Sequence, residues 1–387
     1  MKILQIHNFY LQRGGEDVVY EAEKQLLESH GHTVVRYERN NKEIEQFSLI
    51  EKSFLLWRTT WQKRSYFEVK DIIINEKPDI CHVHNIMPLI SPSVYYACKE
   101  MRIPIVQTLH NYRLLCANAY LFRNGKICEE CMGKSLYRSV KYGCYRDSRV
   151  QTLALARMVE KHKKKRTWNN VVNAYIVLTT FAKEKFIQGG LDERKIFIKP
   201  NFLFDDPGFS NTDNDYFFFA GRLDETKGIK LLNTIAQKLP NIKLRVAGDG
   251  NFIKSKIDSR IRYLGRLSKE KVLDELKNSK ALIFPSIWYE GMPMTVIEAF
   301  ATGKPVIASK IGSLSEMISD RKTGLLFEPG NEKDLMRMIK WMVNNPHEVK
   351  MMGGRARREF ELKYTAEKNY NILINIYNKV KSANYQV

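Results

Sequence analysis

Twice along this chain, short runs of β-branched and aromatic residues alternate with longer stretches of helical spacing, and a polar segment separates the two series. The first reads KILQIH, a helix from about Glu16 to Ser29, TVVRY, a long amphipathic stretch, DICHVH near 80, IPIVQTLH near 103, AYIVLT near 175 and KIFIKPN near 195. DDPGFSNTDND (205–215) then breaks the pattern and reads as a linker. Beyond it come DYFFFAGR, a helix from Gly228, IKLRVAG, IRYLG, ALIFPS, a helix from Pro293, KPVIAS and TGLLF. Parallel strands need crossover connections, so the alternation predicts βαβ units and one parallel sheet in each half. The 387 residues suffice for two cores. The expected fold is α/β, with two doubly wound, Rossmann-like domains facing each other across a cleft. They take residues 1–204 and 205–365, and a last helix within 366–387 returns to the first domain. Ligands of such sheets bind at the carboxyl ends of the strands, which puts the expected site in the cleft.

The strongest local signal is PSIWYEGMPMTVIEAFATGKPVIAS (285–309). A strand ends at Pro285 and Ser286, a loop carries Glu290, Gly291 and Met292, and Pro293 stands where a helix begins and an N–H is dispensable. Met294 and Thr295 then open a helix whose free N–H groups and positive dipole end suit a diphosphate. Glu298 lies about one turn on and points back toward the same ligand, where a carboxylate accepts from sugar hydroxyls. The bland alternative is an ordinary βα loop. GRLDETKG (221–228) adds Arg222 and Lys227 at another strand end, as a diphosphate leaving group requires, although either cation alone would usually be a solvated charge. In the first half, RGGEDVV places Gly14 and Gly15 between strand and helix, so backbone can approach a phosphate or sugar. TLHNYRLLC puts His110 at a strand end; His82 and His84 read as supports of the sheet.

Together, the two glutamates with seven residues between them, GRLDETKG, VAGDGN (246–251) and IRYLGRLSKEKV (261–272) resemble the retaining glycosyltransferases of family 4, which have the GT-B fold. The resemblance covers nearly the whole chain and keeps the family's motif order. It implies that Glu298 holds the nucleotide ribose, Glu290 contacts the donor sugar and Arg222 and Lys227 bind the diphosphate. It further implies that the backbone from Gly265 through Arg266 to Leu267 cradles the base, that Gly14 and Gly15 line the cleft, and that His110 lies near the reacting sugar. The implied enzyme is a hexosyltransferase using a nucleotide-diphosphate sugar and no catalytic metal. Its expected acceptor is a glycan, typically lipid-linked, for capsule, O-antigen or exopolysaccharide assembly. The rival readings are a non-catalytic sugar-nucleotide-binding protein and another GT-B enzyme, such as a phosphorylase or a nucleotide-sugar epimerase.

A net charge of +20 calls for an anionic partner. Residues 1–200 hold 33 Lys and Arg against 21 Asp and Glu, an excess of 12 that leaves 8 for the rest. No nucleic-acid-binding signature accompanies this charge. KHKKKR (161–166) and FLLWRTTWQKRSYF (54–67) carry much of the N-terminal excess. In the latter, Phe54, Trp57 and Trp61 fall at helical spacing beside Arg58, Lys63 and Arg64, which fits either a helix lying on an anionic membrane or one packing its aromatic face inward. The chain lacks a signal-peptide core and any run of 18 apolar residues, so a cytoplasmic protein, at most peripheral on the membrane's inner face, is expected.

Cys116, Cys128, Cys131 and Cys144 fall close together in an insert spanning 116–149. In a reducing compartment, a CxxC centre flanked by single cysteines reads as a structural zinc site, as unpaired structural thiols, or as a redox pair. Cys81 and Cys98 read as core residues. The zinc reading expects elemental analysis of purified protein to find close to one zinc per chain; a content below about 0.2 rules it out, since four-thiolate sites bind tightly.

Overall fold

The computed structural model describes residues 1–11, 14–250, 252 and 257–384. Arg13 of the RGGEDVV motif and Asn251 of VAGDGN lie outside the described residues. The chain divides into two compact units. Met1–Arg123, Cys128–Pro200 and the residues from Asn369 onward form the first, and Asn201–Lys368 with Asn124–Ile127 form the second.

The first unit holds β1 (Lys2–Phe9), β2 (Thr33–Asn40), β3 (Ile80–Val83) and β4 (Ile105–Leu109); two-residue strands β5 (Phe122–Arg123) and β6 (Lys126–Ile127) lie in the Cys-rich insert; β7 (Ala174–Val177) and β8 (Ile196–Ile198) follow. The main sheet has the order β2-β1-β3-β4-β7-β8 with every pair parallel. The inner strands β3, β4 and β7 are buried throughout, as parallel strands covered on both faces must be. The crossovers are α1 (Gly15–Ser29), α2 (Leu49–Arg58), α3 (Lys63–Glu76), α4 (Ser93–Glu100), α5 (Arg149–Lys164), α6 (Thr167–Asn170) and α7 (Thr180–Gln188). On α1, Val19, Tyr20, Glu23, Leu26 and Leu27 share the buried face, so the 3.6-residue period carries a carboxylate into the core with the apolar side chains.

The second unit holds β9 (Phe217–Ala220), β10 (Leu244–Ala247), β11 (Ile261–Gly265), β12 (Ala281–Phe284), β13 (Val306–Ser309) and β14 (Gly324–Phe327) in the parallel order β11-β10-β9-β12-β13-β14. Its helices are α8 (Ile229–Lys238), α9 (Lys269–Asn278), α10 (Met294–Ala301), α11 (Gly312–Met317), α12 (Glu332–Asn344) and α13 (Pro346–Lys363). The chain builds outward from β9 to β11, then jumps back to place β12 on the other side of β9. That reversal opens a crevice between the loops after β9 and β12. In the first sheet the same reversal falls between β1 and β3.

The last helix, α14 (Ala366–Asn384), packs on the first sheet: Leu373, Ile376, Tyr377 and Val380 share one apolar cluster with Ile3, Ile80, Val106 and Ile176. Burying each such aliphatic side chain is worth roughly 1.5–3 kcal/mol. The polar segment 205–215 belongs wholly to the second unit, where Asp206 meets Arg357 at 2.5 Å and Asp213 meets Lys280 at 2.7 Å. Its polarity serves ion pairing. The second unit begins at Asn201, whose side-chain amide donates to the Met292 carbonyl at 3.0 Å.

One helical reading is corrected. The aromatic, basic stretch forms two helices, because α2 stops at Arg58 and Gln62 caps the start of α3 through the Arg64 N–H. Trp61 falls in the connection and sits with Tyr66 and Tyr96, leaving the line of Phe54 and Trp57. No helix among the described residues is long and apolar enough to cross a membrane.

Candidate active site

In the second unit the carboxyl ends of β9 and β12 bring two of the expected residues into direct contact. Lys227 Nζ lies 2.6 Å from Glu290 Oε1, which also accepts from Ser286 Oγ at 2.6 Å. Phe284 and Trp288 flank the ammonium, with ring centroids 5.3 and 5.2 Å away. Both side chains of the pair are largely buried. The loop after β9 is shaped from within: Asp224 caps the short turn Glu225–Lys227, accepting from the Lys227 N–H at 3.1 Å. Asp224 also lies 3.3 Å from Arg222, whose guanidinium remains about half exposed. A fixed ammonium and a guanidinium open to solvent thus share one loop.

Glycine makes these loops possible. Gly228 takes φ +80°, and a Cβ there would stand 2.2 Å from the Pro285 carbonyl oxygen. Gly248, at φ +139°, would put a Cβ 1.8 Å from the Gly221 carbonyl oxygen. The β9 and β10 loops therefore touch backbone to backbone, with the Leu223 N–H donating to the Asp249 carbonyl at 2.8 Å. Gly265 ends β11 beside them, its carbonyl accepting from the Gly248 N–H at 2.8 Å, and Arg266 reaches Asp249 at 3.5 Å.

Pro293 precedes α10 in extended conformation, with no side chain capping the free N–H groups. Glu298 lies one turn in. Protein atoms surround it but leave a partial opening, and burial lifts its carboxyl to about 7, with Lys269 pulling the other way. Among the described residues no hydrogen bond or ion pair holds that carboxylate.

The remaining expected residues belong to the first unit. Gly14 precedes α1, and its N–H donates to Asp17 at 2.9 Å; Asp17 in turn lies 2.8 Å from His7 Nε2, both side chains fully buried. His110 follows β4 and lines a pocket with His84, Glu16, Asn111 and Arg113. Burial pushes the His110 imidazole well below its usual range, and the same cause raises Glu16 to about 7. Glu16 accepts from Tyr10 at 3.2 Å and from Asn111 at 3.3 Å.

In the insert all four cysteines are free. Burial first, and then the neighbouring thiols, raise Cys131 to about 11, so the four do gather. The Cys116 thiol donates to Asn118 Oδ1 at 2.9 Å. Among the described residues, however, the group of three or more side chains with ligand atoms within 4.8 Å of one another is Glu23, His82 and His84. The thiols stand farther apart than a closed four-thiolate cage requires.

Residues 203–359 match the family described as Glycosyl transferases group 1, and residues 13–203 match Glycosyltransferase Family 4. The chain belongs to glycosyltransferase family 4. It is 30% identical to an uncharacterized glycosyltransferase of Methanocaldococcus jannaschii over 48% of this chain and 54% of the relative, and so spans about half that relative's length. It is 24% identical to an uncharacterized 42.6 kDa protein in the cps region of Klebsiella pneumoniae, over 82% of this chain and 87% of that one. Its fold is that of Anabaena Alr3699/HepE, solved in complex with UDP, at a TM-score of 0.67 and 16% identity over 98% of this chain and 100% of the other. The fold is GT-B, two Rossmann-like domains.

Several polar residues of this family 4 chain escaped the motif reading. Glu16 and Arg113 line the His110 pocket, and Glu23 and Lys199 lie fully buried behind it. Glu23 carried a signal, since it falls on the Val19, Tyr20 and Leu27 face of α1. Lys199 carried none. His82 and His84 are buried at the sheet end, as read.

The Glu298 shift generates a pH signature. With the carboxyl near 7 in the free protein and lowered when hydroxyls donate to it, nucleoside diphosphate binding should weaken up to ~10-fold per unit as pH falls below 7. Calorimetric titrations from pH 5.5 to 8 should find this component missing in Glu298→Gln; an identical profile in both proteins excludes the ribose role. The raised carboxyl also makes its contribution to stability fall as pH rises from 4.5 through 7, because the unfolded chain gives up the proton first.

Proposed function

We propose that this chain transfers a sugar from a nucleotide-diphosphate sugar to a glycan acceptor, with retention of configuration. The observation that carries the reading is the Lys227–Glu290 pair at the β9/β12 reversal, with Arg222 on the same loop and the α10 N-terminus following Glu290. When the C1–O bond of the donor breaks, charge builds on the departing diphosphate. Lys227, Arg222 and the free N–H groups of Met294 and Thr295 are the donors assigned to that charge. Glu290, held by Lys227 and Ser286, is assigned to a hydroxyl of the donor sugar, and Glu298 to the ribose. The bond from acceptor oxygen to C1 forms on the face the diphosphate leaves, and the acceptor's proton passes to the leaving phosphate oxygen. His110 and Gly14 are assigned to the sugar side. The complex of Alr3699/HepE with UDP supports a uridine nucleotide as the first donor to try. The cps-region relative supports a role in cell-surface polysaccharide.

We further propose that the acceptor is lipid-linked and that α2 meets the membrane. Phe54 and Trp57 are 49% and 55% exposed, Arg58 lies over Phe54, and Arg157 packs on Trp57 at 3.9 Å. The apolar rings and the cations share one surface, as interfacial anchors do.

Turnover is read as acceptor-dependent release of nucleoside diphosphate. Lys227→Ala should lower kcat by about 10²–10³, the usual loss when one fixed donor to a developing charge is removed. Glu290→Gln should impair transfer while nucleoside diphosphate binding is kept. Full activity in both variants, or release that ignores the acceptor, defeats the proposal. For the membrane, anionic liposomes should co-sediment the protein at low salt and lose it as salt rises, and Phe54→Ser with Trp57→Ser should abolish this; retention by the double variant excludes α2 as the anchor.

A further inference from the structure

Behind His110 the first unit buries a row of ionisable groups that the proposed chemistry does not touch. Lys199 Nζ lies 2.5 Å from Glu23 Oε1 and 3.1 Å from Asn369 Oδ1. The other oxygen, Oε2, is 3.2 Å from His84 Nε2, and His84 Nδ1 is 3.0 Å from His110 Nε2. The His84 and His110 rings lie nearly parallel, 22° apart with centroids at 5.3 Å. Lys199, Glu23 and His84 are fully or almost fully buried.

Glu23, His82 and His84 bring ligand atoms within 4.8 Å, the spacing of a metal site. The cation's place is already taken by Lys199, and both nitrogens of His82 are engaged, Nδ1 by Tyr377 at 2.7 Å and Nε2 by Thr108 at 2.8 Å. The row is a chain of hydrogen-bonding groups, and its ends fix its direction. Lys199 keeps Glu23 an anion, and an anion only accepts. The contact with His84 Nε2 is an electrostatic approach at 3.2 Å outside hydrogen-bond geometry, and a lone pair facing this anion would be repelled, so the His84 proton belongs on Nε2. A neutral imidazole then has only a lone pair on Nδ1, so the bond to His110 is made by a proton on His110 Nε2.

We infer that Lys199, Glu23 and His84 form a buried positioning relay that locks His110 with its proton on Nε2 and its lone pair on Nδ1. The inference rests on the reading of His110 as a residue at the sugar. In this state His110 offers the pocket a fixed acceptor for a sugar hydroxyl, while its Nε2 proton is committed to His84. Burial holds both imidazoles below their usual range, which keeps them neutral as the relay requires.

The test is made first on the native protein, labelled with ¹⁵N at histidine and assigned by loss of one set of signals in His110→Gln. Long-range ¹H–¹⁵N correlations should find His110 in a single form, protonated at Nε2 and bare at Nδ1. A proton on Nδ1, or exchange between the two forms, overturns the relay, and this measurement needs no variant to fold. The second arm is His84→Leu, compared with the native protein by thermal melting. It should release His110 into a mixture of tautomers and lower kcat by about 10- to 100-fold, the usual cost of losing a partner that orients a functional histidine, with KM for the nucleotide sugar unchanged. A single, unaltered His110 tautomer in that variant also overturns the relay. The two readings fail separately: a locked tautomer without acceptor-dependent turnover leaves the relay and removes the transferase, whereas turnover with a mixed tautomer does the reverse.

Discussion

Two neighbouring parallel strands cannot be joined by a tight turn, so each connection must climb over a face of the sheet, and this constraint organises both halves of the chain. It covers the sheets with helices, which is why the inner strands are buried throughout. It also sends every strand's carboxyl end to the same edge. Where strand order reverses, between β9 and β12, two connections depart in opposite senses and the edge opens. Lys227 and Glu290 stand on the two loops at that opening, 63 residues apart in sequence and 2.6 Å apart in space.

The two units treat charge differently. In the second, the Lys227–Glu290 pair is largely buried at the crevice, while Arg222 on the same loop remains open to solvent. In the first, Lys199 and Glu23 are fully enclosed. Removing one partner of such a pair typically costs about 3–5 kcal/mol, because the other is left as a buried bare charge, whereas an apolar pair of similar volume would often be no less stable. A network so expensive to disturb is understandable if it holds a particular side chain in a particular state, and the side chain at its end is His110.

The fold was legible in the sequence because the period of apolar residues reports burial directly. Every strand of the two main sheets coincides with an apolar run, and α10 begins where Pro293 and the preceding loop announce a helix start. The site was legible where a residue type is unusual for its place, as with the paired glutamates and the Gly-Arg loop. It was illegible where function depends on contact between distant segments. Glu23 shows only its place on the apolar face of α1, with no partner named, and Lys199 looks like the end of an edge strand; only the folded chain brings them to 2.5 Å. The helix in 54–67 misled for a local reason: aromatic spacing continues past Arg58, but Gln62 starts a new helix, and a cap outweighs periodicity over so short a span.

The return of α14 to the first sheet has a consequence for the order of events during synthesis. The second unit is nearly continuous, from Asn201 to Lys368, and can close as soon as it emerges. The first cannot. Its sheet is complete at β8, yet Leu373, Ile376 and Tyr377 of its apolar cluster, and Asn369 against Lys199, are made only after the whole second unit. At about 5–20 residues per second, the ribosome leaves the first unit open on one face for roughly 10–30 s. During that interval the Lys199–Glu23 pair lacks one of its neighbours and His82 lacks Tyr377, so a helix translated after the second unit seals the interior of a unit translated before it.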